Sequence, residues 1–237
     1  LQLDGHARGG GFDDELTWWT QVTSDPAAML PADSQGPNTT ASARSVTVSL
    51  SPDQTRALLH QVPGAYRTQI NDALLTALSQ VLARWSGHDQ ILIDLEGHGR
   101  EEDQLPGTDL SRTIGWFTTI YPVALTATPG TGWGQALKSV KEQLRAIPRH
   151  GLGYGALHYL AARPGLAAQP PVSFNYLGQL DRAVPARGLI HAIGHGLDAS
   201  ASPAASRPHQ LDIVGRIQDQ RLQLTWTYSA SLHHQAT

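Results

Sequence analysis

The stretch from Ile70 to Gly97, INDALLTALSQVLARWSGHDQILIDLEG, decides the fold class. Its first part repeats Ile70, Leu74, Leu78, Val81, Leu82 and Trp85 at helical spacing, which predicts an amphipathic helix with one apolar stripe, stopped at Gly87. Its second part changes period. Ile91, Ile93 and Leu95 alternate with Leu92, Asp94 and Glu96, predicting a strand that Gly97 ends. A strong helix followed directly by an apolar strand points to helices layered on a sheet.

The same alternation of periods continues on both sides. Upstream, Val46, Val48 and Leu50 predict a strand, and Ser51-Pro52-Asp53-Gln54 reads as a capping box with proline at the first helical position. Further back, Phe12, Leu16 and Trp19 predict a helix over residues 12–22, its start favoured by Asp13, Asp14 and Glu15. Residues 23–43 read as a polar linker or surface loop. Downstream, residues 114–125 predict a strand whose Pro122 suits an edge or a bend. Trp133, Leu137, Val140, Leu144 and Ile147 predict a second amphipathic helix, stopped before Pro148. Gly151-Leu152-Gly153-Tyr154-Gly155 reads as a tight turn leading to a short helix near residues 157–160. Val172, Phe174 and Tyr176 predict a strand, and residues 211–217 and 222–228 a hairpin around Gln218-Asp219-Gln220. The expected class is α/β, a mixed sheet covered by helices.

Composition narrows the chemistry. The chain has 237 residues, 17 Lys and Arg against 20 Asp and Glu, and no Cys. A formal charge of -3 gives no cationic excess for holding nucleic acid or an anionic membrane. Without Cys, disulfides, thiolate zinc sites, iron–sulfur clusters and thiol nucleophiles are excluded. No membrane-length apolar run or signal peptide stands out, so a soluble, cytoplasmic protein is expected. The chain opens Leu1-Gln2-Leu3 with no initiator Met, which reads as a cut from something longer.

Glu96 is the leading candidate for chemistry. A carboxylate at the end of an apolar strand, followed by Gly97-His98-Gly99, would stand at the mouth of a core, where burial raises its pKa. The plainer alternative is an ion-pair cluster with Arg100 or Arg112. His191 and His195 are four apart but flanked by Gly194 and Gly196, so no helical zinc motif forms, and His233-His234 reads as a solvated tail. No metal site, nucleophile elbow, Walker loop or dinucleotide fingerprint is found.

Four segments in register carry a resemblance: Asp94 to Glu101 (DLEGHGRE), Arg112 to Val123 (RTIGWFTTIYPV), Pro148 with Gly151 to Gly155 (GLGYG), and Phe174 to Asp181 (FNYLGQLD), with Tyr66 to Asp72 also typical. Together they resemble the later motifs of epimerization domains of nonribosomal peptide synthetases, in the condensation-domain superfamily. The resemblance implies a lobe like chloramphenicol acetyltransferase: residues 46–237 as the C-terminal lobe, residues 1–45 as a connecting helix and linker remnant. It implies Glu96 as the catalytic carboxylate, Asn175 and Tyr176 as substrate-binding residues, and His98, Arg100 and Arg112 as structural neighbours, Arg100 anchoring its loop on a nearby acid. A His-His-x-x-x-Asp motif would come from an N-terminal lobe, since His233-His234 is followed only by Gln235-Ala236-Thr237. The implied partners are that lobe, a peptidyl carrier protein whose phosphopantetheine holds the substrate, and adjacent synthetase domains, with no cofactor bound to the chain itself. The implied reaction is inversion of an aminoacyl or peptidyl Cα. A condensation domain forming peptide bonds, or a non-catalytic docking lobe, stands as the alternative.

Overall fold

The computed structural model describes residues 2–24, 30–105, 107–127, 130–179 and 201–237. His191, His195 and the Leu180-Asp181 end of the fourth motif lie outside them. In chain order the elements are α1 (Gln2–Arg8), α2 (Leu16–Ser24), β1 (Ala43–Ser49), α3 (Pro52–Arg56), α4 (Val62–Tyr66), α5 (Ile70–Ser86), β2 (Gln90–Gly97), β3 (Thr119–Thr126), α6 (Trp133–Arg145), α7 (Leu152–Gly155), β4 (Val172–Gln179), β5 (Leu211–Gln218) and β6 (Arg221–Ser229). Helices and strands interleave as expected, giving a mixed α/β fold. The chain divides into two compact units, one of residues 1–29 and 76–170, the other of residues 30–75 and 171–237.

In the first unit, β2 and β3 pair antiparallel, with Ile91 opposite Leu125, Ile93 opposite Val123 and Leu95 opposite Tyr121. All six of these side chains are buried. Edge strand β3 accommodates Pro122, because an outer strand can spare ladder bonds. The expected strand over 114–125 is corrected at its start: β3 begins at Thr119, and residues 114–118 lie outside any strand. Ile114 and Trp116 stand fully or almost fully in solvent, so apolar, aromatic composition misread a protruding loop as a strand. Helix α6 buries Ala136, Leu137 and Val140, and Gln143 bonds the N–H and C=O of Thr126, fastening the helix to the end of β3. Trp133, expected on that buried face, is exposed.

Trp19 is fully buried in this unit, with ring centroids 5.2 Å from Tyr154 and 6.2 Å from Tyr121. The helix expected over 12–22 is a one-turn 3-10 segment (Asp13–Glu15) followed by α2, and α1 precedes it without having been expected.

The second unit holds a four-stranded mixed sheet in the order β1-β6-β5-β4, antiparallel except for the parallel β4–β5 pair. Strand β5 shows the cleanest period of two: Leu211, Ile213, Gly215 and Ile217 are buried and the residues between them half-buried. Its hairpin to β6 uses Asp219 and Gln220, both in the left-handed region, as a two-residue turn of this twist requires. The expected capping box forms at Ser51, whose hydroxyl accepts from the Gln54 N–H while the Gln54 side chain accepts from the Ser51 N–H. Helical structure then runs to Tyr66, where Arg67 turns left-handed. Thr55 on α3 accepts the N–H of Leu222, tying helix to sheet.

Helix α5 differs from its expected stripe by part of a turn. Leu74, Leu75, Leu78, Leu82 and Ala83 are buried, whereas Val81 is 54% exposed. At about 100° per residue, Val81 falls about 60° beyond Leu78 on the side away from Leu82, so the buried arc centres on 75, 78 and 82. The tail at His233-His234 also differs from expectation. His233 is buried, and the His234 N–H and the Thr237 hydroxyl both donate to Asp33, which fastens the C-terminal segment down. Burial holds the His233 imidazole below its ordinary value despite the opposing charge of Asp33.

Candidate functional site

Glu96 is the last side chain before β2 ends at Gly97. The strand alternation that buries Ile93 and Leu95 sends Glu96 to the other face, where it lies opposite Ile120, itself 53% exposed. Within this chain Glu96 is therefore exposed, not buried at the mouth of a core as the sequence suggests. Along that face burial falls from buried Leu92 through half-buried Asp94 to Glu96. Even so, partial desolvation raises the Glu96 carboxyl above its usual value, the direction expected.

Three glycines shape the surroundings of Glu96. A Cβ on Gly97 would press on the Thr119 hydroxyl at 2.8 Å and touch the His150 carbonyl at 3.4 Å, so a side chain there would have to displace Thr119. Gly99 is left-handed and its missing Cβ would overlap the Phe117 carbonyl. Gly151, also left-handed, lies under the ring of Tyr121. The Gly-His-Gly run after Glu96 is thus drawn in against the backbone before β3 and the turn before α7.

Among the described residues Arg100 does not form the expected pair with an acid. Its guanidinium donates to the Leu110 and Thr113 carbonyls, both at 3.0 Å, and lies 4.2 Å over the Phe117 ring. It still anchors the loop, because a planar fork with five donors can hold two carbonyls and an aromatic face at once. Arg112 is exposed. His98 accepts the Arg100 N–H at Nδ1, which leaves Nε2 protonated and facing Glu101 Oε1 at 3.2 Å.

Two partnerships were not read from the sequence. Glu101, only 12% exposed, meets His98 with one oxygen and His150 Nδ1 with the other at 3.0 Å. Tyr121 is close by: burial first, and the Glu101 charge second, push its phenol up. The other partnership centres on Arg149, which spans Asp14 and the buried Glu15, while Trp19 donates its indole N–H to Glu15 at 2.7 Å. Asp13 pairs with Arg163 in the same way. The acids read as a helix start are also anchors for residues 149–163.

The glycine-rich segment is corrected accordingly. Gly151 makes the turn, but Gly153 lies inside helix α7, where it is glycine because the Glu15 carboxylate occupies the space a Cβ would take.

In the second unit, Asn175 and Tyr176 are half-buried neighbours on β4. Tyr176 lies over Gly215, its register partner on β5, and partial burial raises its phenol. The β4–β5 register slips between Tyr176 and Gln179, where Gly178 is left-handed, so Asn175-Tyr176 is the last regular pair before a bulge.

Among the described residues no helix is long and apolar enough to cross a membrane, and no group of three or more His, Asp or Glu could hold a metal ion.

Comparison with known proteins agrees with this architecture. The family described as Condensation domain matches residues 6–237. A linear gramicidin synthase protein of Brevibacillus parabrevis is 43% identical over all of this chain, which covers 3% of that protein. Chondramide synthase cmdD of Chondromyces crocatus is 48% identical over 92% of the chain, covering 6% of that protein. Among solved structures, the epimerization domain from the third module of tyrocidine synthetase B superposes with a TM-score of 0.86 at 35% identity, over 99% of this chain and 53% of that one. The condensation domain from the monacolin K polyketide synthase MokA shares the fold alone, with a TM-score of 0.71 at 16% identity over 98% of this chain and 55% of that one. The chain spans only a small part of the synthases it matches and about half of the epimerization domain. With the family match covering nearly every residue, the chain belongs to the Condensation domain family.

Proposed function

We propose that this chain is the Glu96-bearing C-terminal lobe of an epimerization domain, acting in the cytoplasm within a nonribosomal peptide synthetase. Its substrate is an aminoacyl or peptidyl thioester on the phosphopantetheine arm of a peptidyl carrier protein, and its action is inversion at Cα. The observation that carries the reading is Glu96 itself: a carboxylate of raised proton affinity at a strand end, in a glycine-framed loop, while Arg100 is committed to two carbonyls and a ring. The 35% identity to an epimerization domain supports the same choice within the family.

The thioester lets the Cα proton leave as the carbanion delocalises onto the carbonyl oxygen. A carboxylate remains a much weaker base than an enolate, so a positioned base and a stabilised oxygen are both required. Glu96 takes or returns the proton on one face, its raised pKa reducing the mismatch. An imidazole from the N-terminal lobe serves the opposite face, and that lobe covers Glu96. Asn175 and Tyr176, carrying an amide and a phenol, position the thioester. One proton leaves Cα and one returns, so no net redox change occurs. For a single free α-centre in an achiral setting the two configurations are equal in energy, and with a peptidyl substrate they are diastereomers, so a selective downstream domain supplies direction.

The test is Glu96→Gln in the full-length protein, supplied with a carrier-bound L-aminoacyl thioester in deuterated solvent. Loss of Cα exchange with carrier binding retained is expected, along with a wild-type rate that falls in acid as the carboxylate is protonated. Unchanged turnover in the variant would remove Glu96 from the mechanism. Amide formation without Cα exchange in the wild type would favour a condensation domain, and carrier binding with neither reaction a docking lobe.

A further inference from the structure

Arg149 and His150 adopt left-handed backbone conformations in succession, with φ of 40° and 50°, and Gly151 continues the turn at 83°. Two consecutive non-glycine residues seldom hold this geometry without side chains that fix it. Both are fixed here. Arg149 reaches inward to Asp14 and buried Glu15, and His150 meets Glu101 at 3.0 Å.

The same Glu101 carboxylate receives His98, two residues beyond Glu96. The His150 carbonyl, in turn, lies against the space above Gly97, the residue next to Glu96. Glu101 is 12% exposed, whereas the two imidazoles are 71% and 73% exposed, so the carboxylate forms the inner node and the rings the outer arms. An ionised carboxylate can accept from both rings at once, one oxygen each; a carboxamide, with a single acceptor oxygen, cannot.

We propose that Glu101 is a positioning residue for Glu96. By bonding His98 and His150 together, it pins the loop that follows β2 onto the turn at 149–151 and holds the end of the strand in one place. The role rests on the reading of Glu96 as the proton-transferring group. It assigns to the second acid of the Glu96-Gly97-His98-Gly99-Arg100-Glu101 run a function apart from proton transfer.

The test compares Glu101→Gln, His150→Leu and His150→Lys in the full-length protein by two readouts. The first, amide hydrogen exchange at residues 97–101 and 149–151, requires no substrate. The second is kcat and KM for Cα exchange on a carrier-bound aminoacyl thioester. Glu101→Gln and His150→Leu should speed amide exchange in both segments about tenfold. They should lower kcat about 10- to 100-fold, the scale of a sub-ångström to ångström displacement, with KM within about twofold. His150→Lys keeps an N–H donor for Glu101 and should restore both readouts. Unchanged amide protection in Glu101→Gln, or a His150→Lys protein as impaired as His150→Leu, would overturn the tether. Protection lost with kcat intact would overturn the positioning role. A wild-type protein that never exchanges Cα would instead sink the reading of Glu96 and the positioning role with it, while the protection data still decide the tether.

Discussion

Replacing Arg149 by Met should be among the most damaging single changes in the first unit. The Glu15 side chain is 3% exposed and Arg149 is 27% exposed, so the bond between them lies largely away from water. Removing the guanidinium leaves a buried carboxylate whose remaining hydrogen bond, among the described residues, is the Trp19 indole N–H. Orphaning one member of a buried pair costs about 3–5 kcal/mol, and the partial exposure of Arg149 points to the lower end. The Asp14 pair adds less than about 1 kcal/mol, because Asp14 is 65% exposed and water screens it. A net loss of about 3–4 kcal/mol corresponds to a fall in Tm on the order of 10 °C for a chain of this size. Urea unfolding followed by circular dichroism and tryptophan fluorescence measures it. Adding Glu15→Gln to Arg149→Met should recover about 1–2 kcal/mol, because the variant then buries no unpaired charge. An Arg149→Met protein within about 1 kcal/mol of wild type would refute the reasoning, as would a second substitution that only deepens the loss.

Two further outcomes concern other parts of the molecule. Burial works to raise the Asp212 carboxyl, but hydrogen bonds from His209, Ser173 and Arg207, with the Arg207 charge, outweigh it and hold the group at about 2. A folded value below the unfolded one stabilises the fold while the group is ionised. That contribution, about 1–2 kcal/mol after allowance for partial exposure, is complete above pH 4 and fades as pH falls toward 2. Asp212→Asn should therefore flatten the acid limb of the urea midpoint between pH 4 and 2, and parallel limbs would exclude the network as its source. Ile114 and Trp116 are 101% and 90% exposed, so the chain produced alone should self-associate through this loop. Sedimentation velocity on Ile114→Ser/Trp116→Ser should show less association, and a wild-type chain that stays monomeric at high concentration would contradict this.

Much of the fold was legible because it depends on short-range repetition. The period of two in Ile91, Ile93 and Leu95, the capping box at Ser51 and the stop at Gly87 are local physics, and each stands where the residues placed it. Misreadings arose where composition had more than one use. Ile114 and Trp116 have strand-like side chains but lie in a protruding loop, and Val81 sits just off an arc whose centre only packing sets. His233 looked like tail and is buried.

For the candidate site, the sequence by itself determined that a carboxylate closes an apolar strand and that glycines follow it, since strand period and the lack of a Cβ are properties of neighbouring residues. Only the tertiary structure decided what those residues meet. Glu101 finds His150 across 49 residues and Arg149 finds Asp14 across 135, contacts that no local pattern encodes. Tertiary structure also decided that Arg100 binds carbonyls instead of an acid and that Glu96 is exposed on this chain. Charge complementarity in a sequence names possible partners, and the folded backbone selects among them by bringing one within hydrogen-bond distance and leaving the others out of reach.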